Sequence, residues 1–161
     1  MRIDYIDSCI FLGFVLNNNQ NCKDYINTVG YMNRNKGIIS HFVVSEIFIT
    51  LITKLEDKNQ KFEKIEKSKA IFHIDTLITE MLKDNVLIIN KLRTRLIDER
   101  LLTEIMKVDN KLTEDDIFHI IEAIKDKCDF FVTTDQEIIK NSRLREHLSI
   151  KYNLKIKELK L

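Results

Sequence analysis

The chain has 161 residues, 44% hydrophobic and 32% charged, with a formal net charge of +1. That size and balance fit one globular domain over 1–161 with a sizeable core, and exclude a disordered chain or a bulk polycation built for nucleic acid. Three cysteines with no Cys-x-x-Cys pair argue against a disulfide framework or a zinc site and for a reducing cytoplasm; there is no signal-peptide-like start, and no run reaches the roughly 18 apolar residues of a membrane span.

With no proline and only three glycines, turns fall to asparagine, as in NNNQN at 17–21 and NRNKG at 33–37. RIDYI reads as a first strand ending near Asp7, and 8–16 as an apolar helix stopped by the asparagines. DYINTVGYMNRN (24–35) reads as a second helix and GIISHFVV (37–44) as a buried strand. Ser45 is the expected N-cap of a helix continuing through EIFITLITKL. Residues 60–83 carry apolar positions at helical spacing, Asp84-Asn85 is a turn, and VLII at 86–89 is a third strand.

The stretch 91–108 reads as a helix, and KLTED (111–115) as the loop into a buried helix, DIFHIIEAIKDK. DFFVTT (129–134) is a fourth strand, 135–147 a helix and LKIKEL (154–159) an edge strand. Strands alternating with helices predict a three-layer α/β/α sandwich around a mostly parallel sheet, with the first and fourth strands near its middle. Ligands of such sheets bind beyond the carboxyl ends of the strands.

Four acids fall at element junctions: Asp7 after the first strand, Glu46 after the second, Asp116 opening the buried helix, and Asp135 after the fourth strand. Each has an ordinary role at a helix start, Asp7 and Asp135 as N-caps, Glu46 as a first-turn acid, and Asp116 closing a capping box with Thr113. Together at one sheet edge they would repel each other, a repulsion that a hard cation such as Mg²⁺ or Mn²⁺ relieves. Such ions activate water and stabilise an in-line phosphoryl displacement.

YIDSCIFLGFVL, VVSEIFI, LTEDDIFHIIEAI and DFFVTTDQEI occur in that order. In these motifs the sequence resembles the PIN-domain nucleases, VapC-like ribonucleases; the Asp-x-x-His helix with a later Ala, then an apolar strand ending Thr-x-Asp, is the most specific part. The resemblance implies a PIN-like fold and a Mg²⁺- or Mn²⁺-dependent endoribonuclease that leaves a 5′-phosphate and a 3′-hydroxyl. It places the catalytic, metal-holding quartet on Asp7, Glu46, Asp116 and Asp135, and the threonine before the last acid on Thr133. Asp115 stands beside Asp116; Asp116 is preferred because His119 and Ala123 then fall where the pattern wants them. Residues 56–85 match no motif of the family.

Ser8 and Thr133 are read as hydrogen-bonding the acids or metal-bound waters, and His119, one turn from Asp116, as a flanking or packing residue. Glu137 reads as an exposed first-turn acid, and Cys9 as a buried structural thiol without a partner histidine. Lys140, Arg143 and Arg145 are candidate RNA-phosphate contacts; Arg93, Arg95 and Arg100 are weaker ones. By resemblance the partners are an RNA substrate, an antitoxin protein and a second copy of the chain, with apolar positions in 56–85 available for packing; no membrane is implied, and the compartment is cytoplasmic. RNA processing is an alternative role to toxin. The competing functions are a non-catalytic RNA-binding or scaffold protein of the same fold, and a haloacid-dehalogenase-like phosphatase. The latter wants a second Asp two residues after the first, where this chain has Cys9.

Overall fold

The computed structural model describes residues 1–16, 19–30, 35–56, 64–90 and 98–160. In chain order these form β1 (Arg2–Ile6), α1 (Ser8–Val15), α2 (Gln20–Gly30), β2 (Asn35–Ile39), α3 (His41–Glu56) and α4 (Lys64–Lys83). There follow β3 (Leu87–Ile89), α5 (Glu99–Val108), α6 (Glu114–Lys125), β4 (Phe130–Thr133), α7 (Gln136–Ile139), α8 (Ser142–Tyr152) and β5 (Lys155–Glu158). The strands make one sheet in the order β3-β2-β1-β4-β5, every pair parallel. The expected α/β/α architecture is therefore present, with β1 central, β4 beside it and β5 at an edge.

The chain builds outward from β1 through β2 to β3, then returns to place β4 and β5 on the other side. Right-handed crossovers put the helices of the two halves on opposite faces. Accordingly α1–α4 pack on one another and on β2 and β3, while α5–α8 pack together and on β4 and β5. The alternation along β1 serves both layers. Tyr5 faces the second layer, stacked on Phe131 of β4 at 5.6 Å and in contact with His119 of α6. Asp4 faces the first layer, fully buried, where Arg2 grips it through two nitrogens at 2.8 and 2.7 Å and Tyr25 of α2 donates to it at 2.8 Å.

Gly37 of β2 lies under that first layer. A Cβ there would sit 2.7 Å from Ile6 Cδ1, 3.0 Å from Leu87 Cδ1 and 3.3 Å from Val29 Cγ1. Gly37→Ala is expected to destabilise the protein by about 1–3 kcal/mol, the usual cost of overpacking. A urea midpoint equal to wild type would show that Ile6 gives way freely. On the opposite face, Glu104 of α5 accepts from Lys151 and Tyr152 at 2.6 Å and from His147 at 2.8 Å, which clasps α5 to α8. The bond from Lys151 leads in holding this carboxyl down at about 2.

Several boundaries differ from the sequence reading. The second strand ends at Ile39, and residues 41–44 belong to α3. The cap is Ser40, whose Oγ accepts from Val43 N at 3.1 Å; Ser45 lies inside the helix and bonds back to the carbonyl of His41. The second helix starts earlier, at Gln20, where Asn19 Oδ1 accepts from Cys22 N. The helix expected over 135–147 is two, α7 and α8, because Asn141 caps a new start by accepting from Leu144 N. Residues 91–97, with Arg93 and Arg95, lie outside the described residues, as do 57–63.

Candidate metal centre

The strand order reverses between β1 and β4, so the crevice at their carboxyl ends is the switch point where such sheets take ligands. Asp7 follows β1 there, and its backbone N–H donates to Val132 of β4. Asp7 occupies the N-cap position of α1 but makes no side-chain cap bond. Its carboxylate turns instead toward β4. Oδ2 accepts from Thr133 Oγ1 at 2.6 Å and from the Cys9 thiol at 3.0 Å, and Oδ1 from Ser8 Oγ at 3.4 Å. The expected capping role of Asp7 is thus replaced by a buried hydrogen-bonded one.

Two further groups meet it. Glu46 comes from the second turn of α3 and His119 from the buried face of α6. One ligand atom from each of Asp7, Glu46 and His119 falls within 4.8 Å of the others. His119 Nε2 lies 3.0 Å from Glu46 Oε2, and its Nδ1 lies 3.1 Å from the Tyr5 hydroxyl. Tyr5 spends its one hydrogen on Ser40 Oγ at 2.9 Å, so its oxygen accepts from Nδ1–H. Nε2 must then carry the second ring proton to bond Glu46, which makes the ring an imidazolium.

The electrostatics agree. Burial pulls the His119 pKa down, but the Glu46 hydrogen bond and the charges of Asp7, Glu46 and Asp116 outweigh it, and the net shift is upward. Glu46 is held below its ordinary value, first by its bond to His119. Asp7 is pushed up by burial, against the pull of His119 and of its Thr133 and Cys9 donors. Burial, then the Asp7 charge, also pushes the Cys9 thiol up, so it stays a neutral donor.

The other two acids stand on the same edge in different roles. Asp116 Oδ2 accepts from Thr113 N at 3.1 Å and Thr113 Oγ1 at 2.6 Å, completing the capping box of α6. Its charge reaches His119 through space. Asp115, its neighbour, is exposed. Asp135 caps α7 by accepting from Glu137 N at 2.7 Å. Thr133 Oγ1 accepts from Asp135 N at 3.0 Å while donating to Asp7, so one hydroxyl links the two acids' positions. Asp7 and Glu46 therefore converge with His119, and Asp116 and Asp135 hold the two helix starts beside them.

Ser8 is buried against Asp7 and lies close enough to Glu46 to help hold that carboxyl below its ordinary value. Lys140, Arg143 and Arg145 are exposed at the α7–α8 junction, where Lys140 and Arg143 border a shallow groove together with Asp109 and Glu137. Glu137 is exposed in the first turn of α7, as read. Cys9 differs from expectation: it is half-buried and bonded to Asp7 rather than idle in the core. Tyr5 and Ser40, which orient His119, went unread in the sequence. Their signal was position alone, since Tyr5 lies two residues before Asp7 and Ser40 just after the second strand.

The donor set suits a divalent cation. Donors about 2.1 Å from an octahedral ion lie within about 4.2 Å of one another, so the trio needs only a small contraction. The two carboxylates match Mg²⁺ or Mn²⁺, and the imidazole could join them on Mn²⁺ only by giving up its Nε2 proton. A cation would also offset the Asp7 charge that burial opposes.

No protein-family model matches the sequence. No curated protein matches it either. Among solved structures, a chain of the crystal structure of VapBC2 from Rickettsia felis, bound to a DNA fragment from their promoter, aligns with a TM-score of 0.63. The identity is 13%, over 97% of this chain and 98% of that one. At that identity the likeness is one of fold: this chain shares the three-layer α/β/α architecture of that structure over nearly its whole length.

Proposed function

We propose that this protein is a divalent-metal-dependent endoribonuclease of the PIN type. The observation that carries the reading is Asp7: a buried acid at a helix start that makes no side-chain cap and instead meets half-exposed Glu46 and buried His119 at the switch point of the sheet. Asp7 and Glu46 would hold Mn²⁺ or Mg²⁺, with Asp116 and Asp135 supplying negative charge from the rim. When bound, the ion polarises a phosphoryl oxygen and lowers the pKa of a coordinated water. Thr133 and Cys9 fix the rotamer of Asp7 by binding the same oxygen, which leaves Oδ1 with only a long bond from Ser8. His119, held by Tyr5, supplies positive charge at the position a cation would otherwise neutralise.

Within this reading the protein is the toxin of a toxin–antitoxin pair, an RNA substrate meets the carboxyl edge of the sheet, and the chain associates with an antitoxin and with its own copy. The support for an antitoxin is the VapBC2 complex of the structural neighbour. Lys140, Arg143 and Arg145 remain proposed phosphate contacts. Because Asp116 and Asp135 are fully explained as caps, a non-catalytic RNA-binding or scaffold protein is the second reading.

The test is cleavage of single-stranded RNA by EDTA-stripped protein across a Mn²⁺ titration. Mn²⁺-dependent cleavage is expected, lost in Asp116→Asn and kept in Asp115→Asn. Cleavage that survives EDTA, or none at any Mn²⁺ level, would sink the proposal; hydrolysis of small phosphomonoesters instead would favour the phosphatase. The reverse pattern for the two variants would move the third acid to Asp115.

A further inference from the structure

Phe42, in the first turn of α3, is 51% exposed although large and aromatic. A single exposed phenylalanine is ordinary. This one is part of a pair spanning the two helices that carry Glu46 and His119. Its ring stacks on Phe118 of α6, with centroids 5.8 Å apart and planes 23° from parallel. The same ring meets His119 edge-on, with centroids 6.0 Å apart. Phe42 is also one helical turn before Glu46, on the same face of α3. Phe118 is half-buried and forms a floor, while Phe42 keeps open surface.

We propose that the Phe42–Phe118 pair is a stacking subsite for one nucleobase of a single-stranded RNA, next to the phosphodiester at Asp7 and Glu46. The inference rests on the nuclease reading above. A base hangs one sugar away from its phosphate, and Phe42, one helical turn from Glu46 and touching His119, lies beside those acids. An aromatic face accepts any base, with purines favoured by their larger rings, and it contributes without reading base edges. Bases in a duplex have both faces covered, so the subsite selects unpaired RNA. A protein partner would not require the ring pair to abut the acid cluster.

The chain contains no tryptophan, so Phe42→Trp introduces a sole tryptophan at the subsite, excited selectively over the four tyrosines. Titration with a single-stranded oligoribonucleotide in Mn²⁺ should quench its emission, and an abasic ribose-phosphate oligomer of equal length should not. In kinetics, Phe42→Ala and Phe42→Leu should each raise KM about tenfold, with the loss falling in KM rather than kcat, and Phe42→Trp should restore it. Leu keeps apolar bulk without a π face, so a restored KM in Phe42→Leu would overturn stacking. Equal quenching by the abasic oligomer would also overturn it. So would an unchanged KM in Phe42→Ala accompanied by a changed oligomeric state in sedimentation, since Phe42 would then be a protein contact. These failures leave wild-type cleavage intact and the nuclease reading standing; a wild type that neither binds nor cleaves RNA removes both.

Discussion

Asp7→Asn is expected to retain less than about one hundredth of the Mn²⁺-dependent RNA cleavage, on the scale of losing a central electrostatic group. It should at the same time melt higher than wild type in EDTA. The first effect follows from chemistry: an amide offers a hard cation no negative charge. The second follows from burial. The folded pKa of Asp7 is raised from the ordinary 3.8, with desolvation as the leading cause. The unfolded chain therefore gives up this proton more readily than the folded one, and stability falls as pH rises from 3.8 through the folded value.

At neutral pH the variant escapes that cost. Asn Oδ1 can still accept from Thr133 and Cys9, and Ser8 Oγ can accept from the new amide. A gain on the order of 1 kcal/mol raises Tm by about 2–4 °C for a chain of this size. The gain should vanish as pH falls below 3.8, where Asp7 is protonated in both the folded and the unfolded chain. A variant that melts lower at pH 7 and still cleaves would make Asp7 a purely structural acid.

His119→Gln should show the second large effect, in the pH dependence of metal-free stability. A histidine with a raised folded pKa contributes stability that is fully present below its unfolded value of 6.5 and is lost as pH rises through the folded value. Glu46, with a lowered pKa, contributes stability present above 4.5 and lost as pH falls through its folded value. The pair is therefore at full strength between those limits, and wild type should weaken on the alkaline side above 6.5. Gln cannot be charged, so the variant should lose about 1–3 kcal/mol near pH 6, less than a fully buried pair would cost because Glu46 is partly solvated.

The alkaline decline should also disappear in the variant. Saturating Mn²⁺ should restore most of its lost stability, because the cation supplies the positive charge that His119 gave. Urea melts from pH 5 to 9, with and without Mn²⁺, read all of this. A variant with the wild-type pH profile would show that His119 packs without balancing the acids.

Much of this architecture was legible because it rests on patterns with one physical reading. Short apolar strands alternating with helices admit few sheets, and a parallel sheet sends its strand ends to one edge. Asp7, Glu46, Asp116 and Asp135 could be placed on that edge from position alone. Where each carboxylate points could not be read, because capping and metal holding use the same residue types at the same junctions. The structure separates them: Asp116 and Asp135 bond their helix starts, and Asp7 does not.

The misplaced start of α3 has a similar cause. His41 to Val44 contain Phe and two Val, which favour strands, and the Ser40 cap overrode that preference through one bond to Val43 N. His119 was read as a neighbour of the site because the bond to Tyr5 that orients it joins residues 114 apart in sequence.

The sheet order also fixes when, during synthesis, the chemistry can exist. The first 113 residues can supply β1, β2, β3 and the helices on their face, with Asp7 and Glu46 among them, yet they lack α6 and β4. Until residues 114–133 have left the ribosome, Thr133 cannot pin Asp7, His119 does not sit against Glu46, and one edge of the central strand is unpaired. A nascent chain of the first 113 residues thus holds Asp7 and Glu46 without the groups that complete their cluster.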